Sequence, residues 1–412
     1  MDETIKPHLV NRSWLDEPAL KTLLSVLNSD GEETRIIGGA VRDALLGEEI
    51  GDIDCATTAL PDKVTKMAEA AGFKVVPTGI DHGTVTVIVE GKPFEVTTLR
   101  SDIKTDGRHA IVEFGRDWTK DAERRDFTIN ALSIDAEGNV HDPLQGYPDL
   151  VHRVVRFIGD AETRITEDYL RALRFFRFFA WYGEGRPDRD GLRAVVRTKS
   201  GLEQLSVERV WIELKKTLSA RDAERAILWM RTTEVLTVIL PENWGLDQFH
   251  WLLTAEREQG WAVDPLRRLQ AMVRPAEDVI DAIAERLKLS NAEHERLADW
   301  AGESGAAKHY VDLREAEFAK VLYRGKNAAI VDALAHEYAK RLAKEEEGAE
   351  RILVLMTFAD SWTRPQLPVS GADLMNKGLP KGPEIGVKLR ELENEWIDSN
   401  FSLTKKQLLD LL

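Results

Sequence analysis

The stretch RIIGGAVRDALLGEEIGDIDC, residues 35–55, decides how this chain is read. An apolar run (Arg35–Ile37) meets the pair Gly38–Gly39, then AVRDALLG with helical spacing. Glycines between a strand and a helix let the backbone approach a triphosphate closely, with the helix amides facing the anion. The spacing is neither GxGxxG nor a Walker loop, so dinucleotide-binding and P-loop readings fail. Arg42, one turn into the helix, can supply a two-pronged phosphate contact or sit at the surface paired with Asp43. GDIDC then places Asp52 and Asp54 two apart. On a strand both carboxylates project from one face, as hard oxygen ligands for Mg²⁺ at a phosphate do. Taken alone, such a pair is an ordinary solvated strand end.

Working outward, the first 30 residues read as a capped helix, and PDKVTKMAEAAGF as a second one ended by Gly72. GTVTVIVEG and KPFEVTTLR alternate and are β-branched, joined at Glu90–Pro93 as a hairpin. Glu95 on the second strand would face the aspartates from an antiparallel neighbour, or be a polar residue on an exposed face. DAERRDFTINALSID sets Arg124, Arg125 and Asp126 just ahead of an apolar helix. Asp126 either caps that helix or accepts from a ribose hydroxyl while an arginine holds phosphate. Beyond Arg153 strand signals fade and helical periodicity runs to the end, with breaks at Gly183–Asp188, Pro241–Gly245 and Arg364–Gly371.

Composition sets outer bounds. The 412 residues suit two to four structural units. No apolar run reaches the roughly 18 residues of a membrane helix, and the N-terminus has no signal or transit character. The single Cys55 cannot form an internal disulfide or a Cys-rich zinc site. A reducing, cytoplasmic compartment is expected. A net charge of −15 argues against indiscriminate nucleic-acid binding, yet residues 151–218 hold 14 Lys/Arg against 10 Asp/Glu.

GGAVRD, GDIDCAT, EVTTLR, RRDFTINAL, DPLQGYPDL and EDYLRALRFFRF occur in the order and approximate spacing of the class II tRNA nucleotidyltransferases. That family comprises CCA-adding enzymes and bacterial poly(A) polymerases. The resemblance is strong from Arg35 to Leu218 and weaker in the tail. It implies an α+β fold: a polymerase-beta-like nucleotidyltransferase head with a mixed or antiparallel sheet, then an all-α neck, body and tail. The divisions expected are 1–150 (head), 151–220 (neck), 221–310 (body) and 311–412 (tail, tRNA-binding). The resemblance further implies that Asp52 and Asp54 bind catalytic Mg²⁺ and that Glu95 helps activate the primer 3′-hydroxyl. Gly38, Gly39 and Arg42 would hold the triphosphate, and Arg124, Arg125 and Asp126 the nucleotide and its ribose. One departure is Gln145, which stands before Gly146 where the hinge motif commonly has two glycines.

In EDYLRALRFFR, Asp168 and Arg171 are three apart and so share a helical face, continued by Arg174 and Arg177. By itself this is a structural ion pair. The resemblance implies that Asp168 and Arg171 bind the incoming base, with Arg174 and Arg177 near the triphosphate or positioning the pair. A carboxylate only accepts and a guanidinium only donates. Cytosine and adenine each set an amino donor beside a ring acceptor, and uracil and guanine reverse that order. The implied reaction is template-independent addition of C, C and A to tRNA from CTP and ATP. The 28 residues between Glu95 and Arg124 resemble the flexible loop of full CCA-adding enzymes, or form an ordinary β-hairpin insertion. Rival readings are a poly(A) polymerase, a CC- or A-adding enzyme, and a non-enzymatic RNA-binding adaptor. Against the first, residues 375–412 carry six basic and six acidic residues and no basic extension. His141–Asp142 falls inside the hinge motif, so no phosphohydrolase site is assigned to it. The sequence fixes no oligomeric state.

Overall fold

The computed structural model describes residues 13–80, 83–106 and 109–412, with side chains of 102–112 left aside. The chain forms two compact units, Met1–Pro241 and Glu242–Leu412.

The first unit opens with α1 (Pro18–Leu27), where Pro18 presets the first turn and the Glu17 carboxylate accepts from the Leu20 amide at 3.0 Å. Then follow β1 (Thr34–Ile37), α2 (Gly39–Leu46), β2 (Asp54–Thr57), α3 (Pro61–Ala70), β3 (Lys74–Gly79), β4 (Thr84–Val89) and β5 (Lys92–Thr98). A ribbon of β6 (Arg100–Asp106) and β7 (His109–Phe114) precedes α4 (Trp118–Glu123), β8 (Ser133–Ile134), β9 (Val140–His141) and α5 (Gly146–Val151). The main sheet has the order β3-β4-β5-β2-β1-β8-β9. Every pairing in it is antiparallel except β2–β5, which is parallel.

The expected hairpin is present: β4 and β5 join through Glu90 and Gly91, both at positive φ (51° and 83°). That two-residue turn matches the strands' own twist. Glu95 does not face the aspartates from an antiparallel neighbour. The connection from β2 through α3 and the β3–β4 strands returns β5 alongside β2 in the same direction, with Glu95 beside Asp54. Nor is there an α-helix after Asp126. A single 3-10 turn at Thr128–Asn130 leads into β8, because Phe127 bridges to Phe157 and Ser133–Ile134 joins β1.

Alternation gives the sheet two unlike faces. Ile36, Cys55, Val85, Val87, Val96 and Ile134 are fully buried on one, beneath α1 and α3. Each such apolar side chain contributes on the order of 1.5–3 kcal/mol by burial. Arg35, Ile37, Asp54, Glu95 and Thr97 lie on the other face, partly or fully exposed.

The helices α6 (Ala161–Glu167), α7 (Leu170–Tyr182), α8 (Arg189–Thr198), α9 (Val207–Leu218) and α10 (Ala223–Thr232) complete the first unit's main helices. An aromatic cluster welds them to the head: Phe127 lies 4.9 Å from Phe157 and 5.1 Å from Phe178, and Phe157 stacks on Phe175 at 5.4 Å. The helix expected to run through EDYLRALRFFRF is broken at Asp168, whose backbone is extended (φ −152°, ψ 106°).

The second unit is all helical, its longest helix being Asn327–Lys344. Asp332, 1% exposed, accepts from Arg267, Arg296 and Gln270 and pins that helix to two others. Near its C-terminal end Tyr323, Leu374, Leu392, Trp396 and Ile397 share one apolar cluster. Among the described residues, no helix is long and apolar enough to cross a membrane.

Candidate active site

Gly38 ends β1 and caps α2 with φ 70° and ψ −128°, a conformation that favours glycine. A Cβ there would lie 3.7 Å from Arg125 Nη1, and one on Gly39 would lie 3.6 Å from Arg42 Nη2. Both are ordinary contacts, so it is the backbone conformation of Gly38, and not space, that calls for glycine here. Arg42 is not the surface arginine considered above, for it is buried. It does pair with Asp43 (Nε to Oδ1, 3.0 Å), while Nη1 donates to Asn130 Oδ1 at 2.7 Å and Nη2 to the Tyr182 hydroxyl at 2.6 Å. Its guanidinium also stacks on the Tyr182 ring at 3.8 Å, so the last turn of α7 fixes a residue of the head.

These groups line a cavity of about 540 Å³ with Arg125, Asp126, Asn130, Asp168, Leu170, Arg171, Arg174, Phe178 and Arg209. Five arginines (Arg42, Arg125, Arg171, Arg174 and Arg209) and two carboxylates line it, and each arginine is paired, with Asp43, Asp121, Glu167, Asp126 and Asp168 respectively, so a polyphosphate would compete with those carboxylates for the same guanidinium groups. Burial, opposed by Asp121 and aided by Arg124, holds the Arg125 pKa below its ordinary value. A cation so poorly solvated gains from an incoming anion.

The structure divides the RRD triplet. Arg124 turns to Asp121 (2.7 Å) and does not line the cavity; Arg125 shares that aspartate and does. Asp126 is buried, accepting from the Phe127 amide, Asn130 Nδ2 and Arg174 Nε. Burial alone would raise its pKa, but Arg174 and Asn130 outweigh that and hold it below the ordinary carboxylate range. Arg177 leaves the cavity for Glu213 at 2.6 Å and lies over Phe178.

Asp168 and Arg171 line the cavity but do not pair with each other. The chain break turns Asp168 into a cap, its Oδ1 accepting from the Leu170 amide at 3.1 Å and its Oδ2 from Arg209 Nη2 at 2.7 Å. Arg171 Nη1 donates to Glu167 at 2.5 Å and to the Arg164 carbonyl at 2.8 Å. Arg209 is the residue that sequence reasoning missed: it lies 41 positions from Asp168, and no local pattern links them. Arg164 was overlooked too, although Arg164, Glu167 and Arg171 follow helical spacing. Its Nη2 donates to the carbonyls of both Arg124 and Arg125 at 2.6 Å, tying the RRD backbone to the start of the neck.

The three carboxylates stand outside the cavity lining. Asp54 is the first residue of β2 and Asp52 precedes the strand, so only one of the pair is held by the sheet. Glu95 is in register with Asp54 on β5. Burial first, then Glu95 and Asp52, raise the Asp54 pKa, with Arg125 opposing. Mutually repelling carboxylates on one open face fit a hard cation. Among the described residues no three His, Cys, Asp or Glu converge closely enough to hold a metal by themselves. The donor set thus suits an ion completed by phosphate oxygens rather than a closed protein cage.

A sheet face carrying carboxylates beside an arginine-lined cavity is an arrangement suited to nucleotidyl transfer. Residues 34–156 match the poly A polymerase head domain, and 187–244 the probable RNA and SrmB-binding site of polymerase A. The chain is 36% identical to the mitochondrial CCA tRNA nucleotidyltransferase 1 of Mus musculus, over 95% of this chain and 89% of that one. It is 30% identical to a CCA-adding enzyme of Geobacillus over 97% of both. The Bacillus stearothermophilus CCA-adding enzyme, solved in complex with CTP, superposes with a TM-score of 0.75 at 27% identity, covering 95% of each chain. The chain belongs to the family of CCA-adding enzymes and bacterial poly(A) polymerases. Nucleotidyl transfer in this family employs a divalent metal ion.

Proposed function

We propose that this enzyme adds C, C and A to the 3′ end of tRNA from CTP and ATP without a template. The observation that carries the reading is Asp168 and Arg171 side by side on a cavity whose other charges suit a triphosphate. The primer 3′-hydroxyl attacks the α-phosphate, the P–O bond to the β-phosphate breaks, and pyrophosphate leaves. Asp52 and Asp54 would hold Mg²⁺, which supplies charge stabilisation for the attacking and leaving oxygens. Glu95, beside Asp54, helps activate the hydroxyl. Gly38, Gly39, Arg42 and Arg125 bind the triphosphate, with Arg174 holding Asp126 toward the ribose. Arg124 and Arg177 act from outside the cavity, through Asp121 and Glu213.

Base choice needs partner exchange. Asp168 leaves Arg209, and Arg171 leaves Glu167, for the amino group and ring nitrogen of cytosine or adenine. Uracil or guanine would leave charged groups unpaired, at roughly 1–3 kcal/mol or more each. The segment between Glu95 and Arg124 forms the β6–β7 ribbon, the hairpin alternative, so full rather than partial addition rests on the family resemblance. A tRNA-contacting tail beyond residue 310 and a cytoplasmic address belong to the same reading, and fractionation of cells tests the latter.

The experiment offers tRNA lacking its 3′ end with Mg²⁺ and CTP, ATP or both, and resolves products by single nucleotides. Growth by three, only with both, is expected. A long tract from ATP alone would make it a poly(A) polymerase. Bound tRNA without incorporation would make it an adaptor.

A further inference from the structure

The arginine proposed to read the base belongs to a network that reaches beyond its own cavity. Arg164, Glu167 and Arg171 follow at steps of three and four and meet across the break between α6 and α7. Glu167 Oε2 accepts from two guanidinium groups at once, Arg171 Nη1 and Arg164 Nη1, each at 2.5 Å. The side chains of Arg164 and Arg171 are 12% and 13% exposed and that of Glu167 26%, so water screens the three charges only in part. The far side of Arg164 leaves the neck. Its Nη2 donates to the carbonyls of Arg124 and Arg125, both at 2.6 Å. One side chain thus touches both the partner of Arg171 and the backbone that leads into Asp126.

This arrangement bears on the exchange of partners that base reading requires. When Arg171 turns from Glu167 to a base, a half-buried carboxylate loses a cation. Removing one member of a buried pair is costly because the remaining charge is uncompensated. Glu167 escapes that fate, since Arg164 stays on the same oxygen and is itself fixed by two carbonyls.

We propose that Arg164 is a positioning residue for base selection: it keeps Glu167 neutralised while Arg171 changes partner, and it holds the Arg124–Arg125 backbone in register with the base-reading turn. The inference rests on the CCA-adding reading and adds to it the residue that makes the exchange feasible. The two roles separate by chemistry. Neutralising Glu167 needs a charge, which lysine also carries. Holding two carbonyls beside a carboxylate needs the planar fork that lysine lacks.

Steady-state kinetics with tRNA lacking its 3′ end test this through kcat/KM for CTP and for UTP. Arg164→Gln keeps hydrogen-bond donors and removes the charge, so Glu167 then depends on Arg171. Its kcat/KM for CTP should fall roughly tenfold or more, while that for UTP, which does not draw Arg171 from Glu167, stays within about threefold. Arg164→Lys should keep the ratio of CTP to UTP within about threefold of the parent's and raise KM for both nucleotides together. Combining Arg164→Gln with Glu167→Gln strands no charge, so the ratio should return toward the parent's, whereas damage to structure alone would deepen with the second change. The double variant also carries the test if the single one unfolds, and selectivity close to the parent's is again expected. An unmoved ratio in Arg164→Gln, an equal loss in Arg164→Lys, or a double variant without selectivity overturns the assignment. Those results with normal CCA addition by the parent refute the role of Arg164 alone. A parent that adds no C and A refutes the functional reading, and the role with it.

Discussion

At the scale of residues, the two groups proposed to read the base already have partners. Arg209 holds Asp168 and Glu167 holds Arg171, in partly buried pairs of 2.7 and 2.5 Å. Removing one partner of such a pair strands the other's charge. Asp168→Ala should therefore lose discrimination while keeping metal-dependent turnover, read as UTP and GTP incorporation relative to CTP and ATP. If the variant discriminates as well as the parent, Asp168 does not read the base. Arg209→Ala should instead weaken binding of CTP and ATP together. The carboxylates give a second prediction. Burial, Glu95 and Asp52 raise the Asp54 pKa, so the ionised form is the one the fold disfavours. Its stability contribution is greatest below the unfolded pKa and is lost as pH rises through the folded value. In EDTA at neutral pH, Asp54→Asn should melt above the parent although it abolishes transfer. A gain that disappears in acid, where both proteins carry a neutral group, completes the test. These pairings were only partly legible in the sequence. The residue types and their order announced the chemistry, but Asp168 and Arg209 meet through packing of α7 and α9, which leaves no local trace.

Among the elements, local signals held and non-local ones did not. The β4–β5 turn was legible because two residues at positive φ dictate it. The parallel β2–β5 pairing was not, since α3 and two strands intervene and nothing in β-branched alternation specifies direction. The helix through Asp168 failed because its periodicity continues across a cap. The left-handed turn before α5 carries the clearest consequence. Gln145 sits at φ 56° and ψ 40°, where a Cβ is strained and glycine is favoured. Gln145→Gly should raise stability by about 1 kcal/mol, measured by denaturant unfolding. Gly146 allows no such freedom: a Cβ would fall 2.0 Å from the Thr128 carbonyl oxygen. Gly146→Ala must shift the 3-10 turn that carries Asn130, Arg42's partner, and should cost on the order of 2 kcal/mol or more. Its KM for CTP should rise with the instability, whereas Gln145→Gly should leave that KM unchanged.

For the whole molecule, net charge proved a poor guide to function. The chain carries −15 overall, yet five arginines and two aspartates line the cavity proposed for the nucleotide, and affinity depends on the local field rather than the mean charge. The acidic excess lies elsewhere in both units and suits an enzyme that must release its RNA. The division between Pro241 and Glu242 makes a further expectation possible. Every residue lining the proposed nucleotide cavity belongs to the first unit, and α7 contributes Leu170, Arg171, Arg174 and Phe178. A ligand that binds only the folded form stabilises it by about 2.7 kcal/mol at a hundredfold excess over Kd. Saturating CTP should therefore slow hydrogen exchange in β1–α2, in the Asp126–Asn130 turn and along α6–α7. The helix Asn327–Lys344 draws its stability from the Asp332 network of the second unit, so its exchange should stay within error of the free enzyme. Comparable slowing in that helix would show that the two units share one unfolding equilibrium, and protection confined to it would move the nucleotide site out of the head altogether.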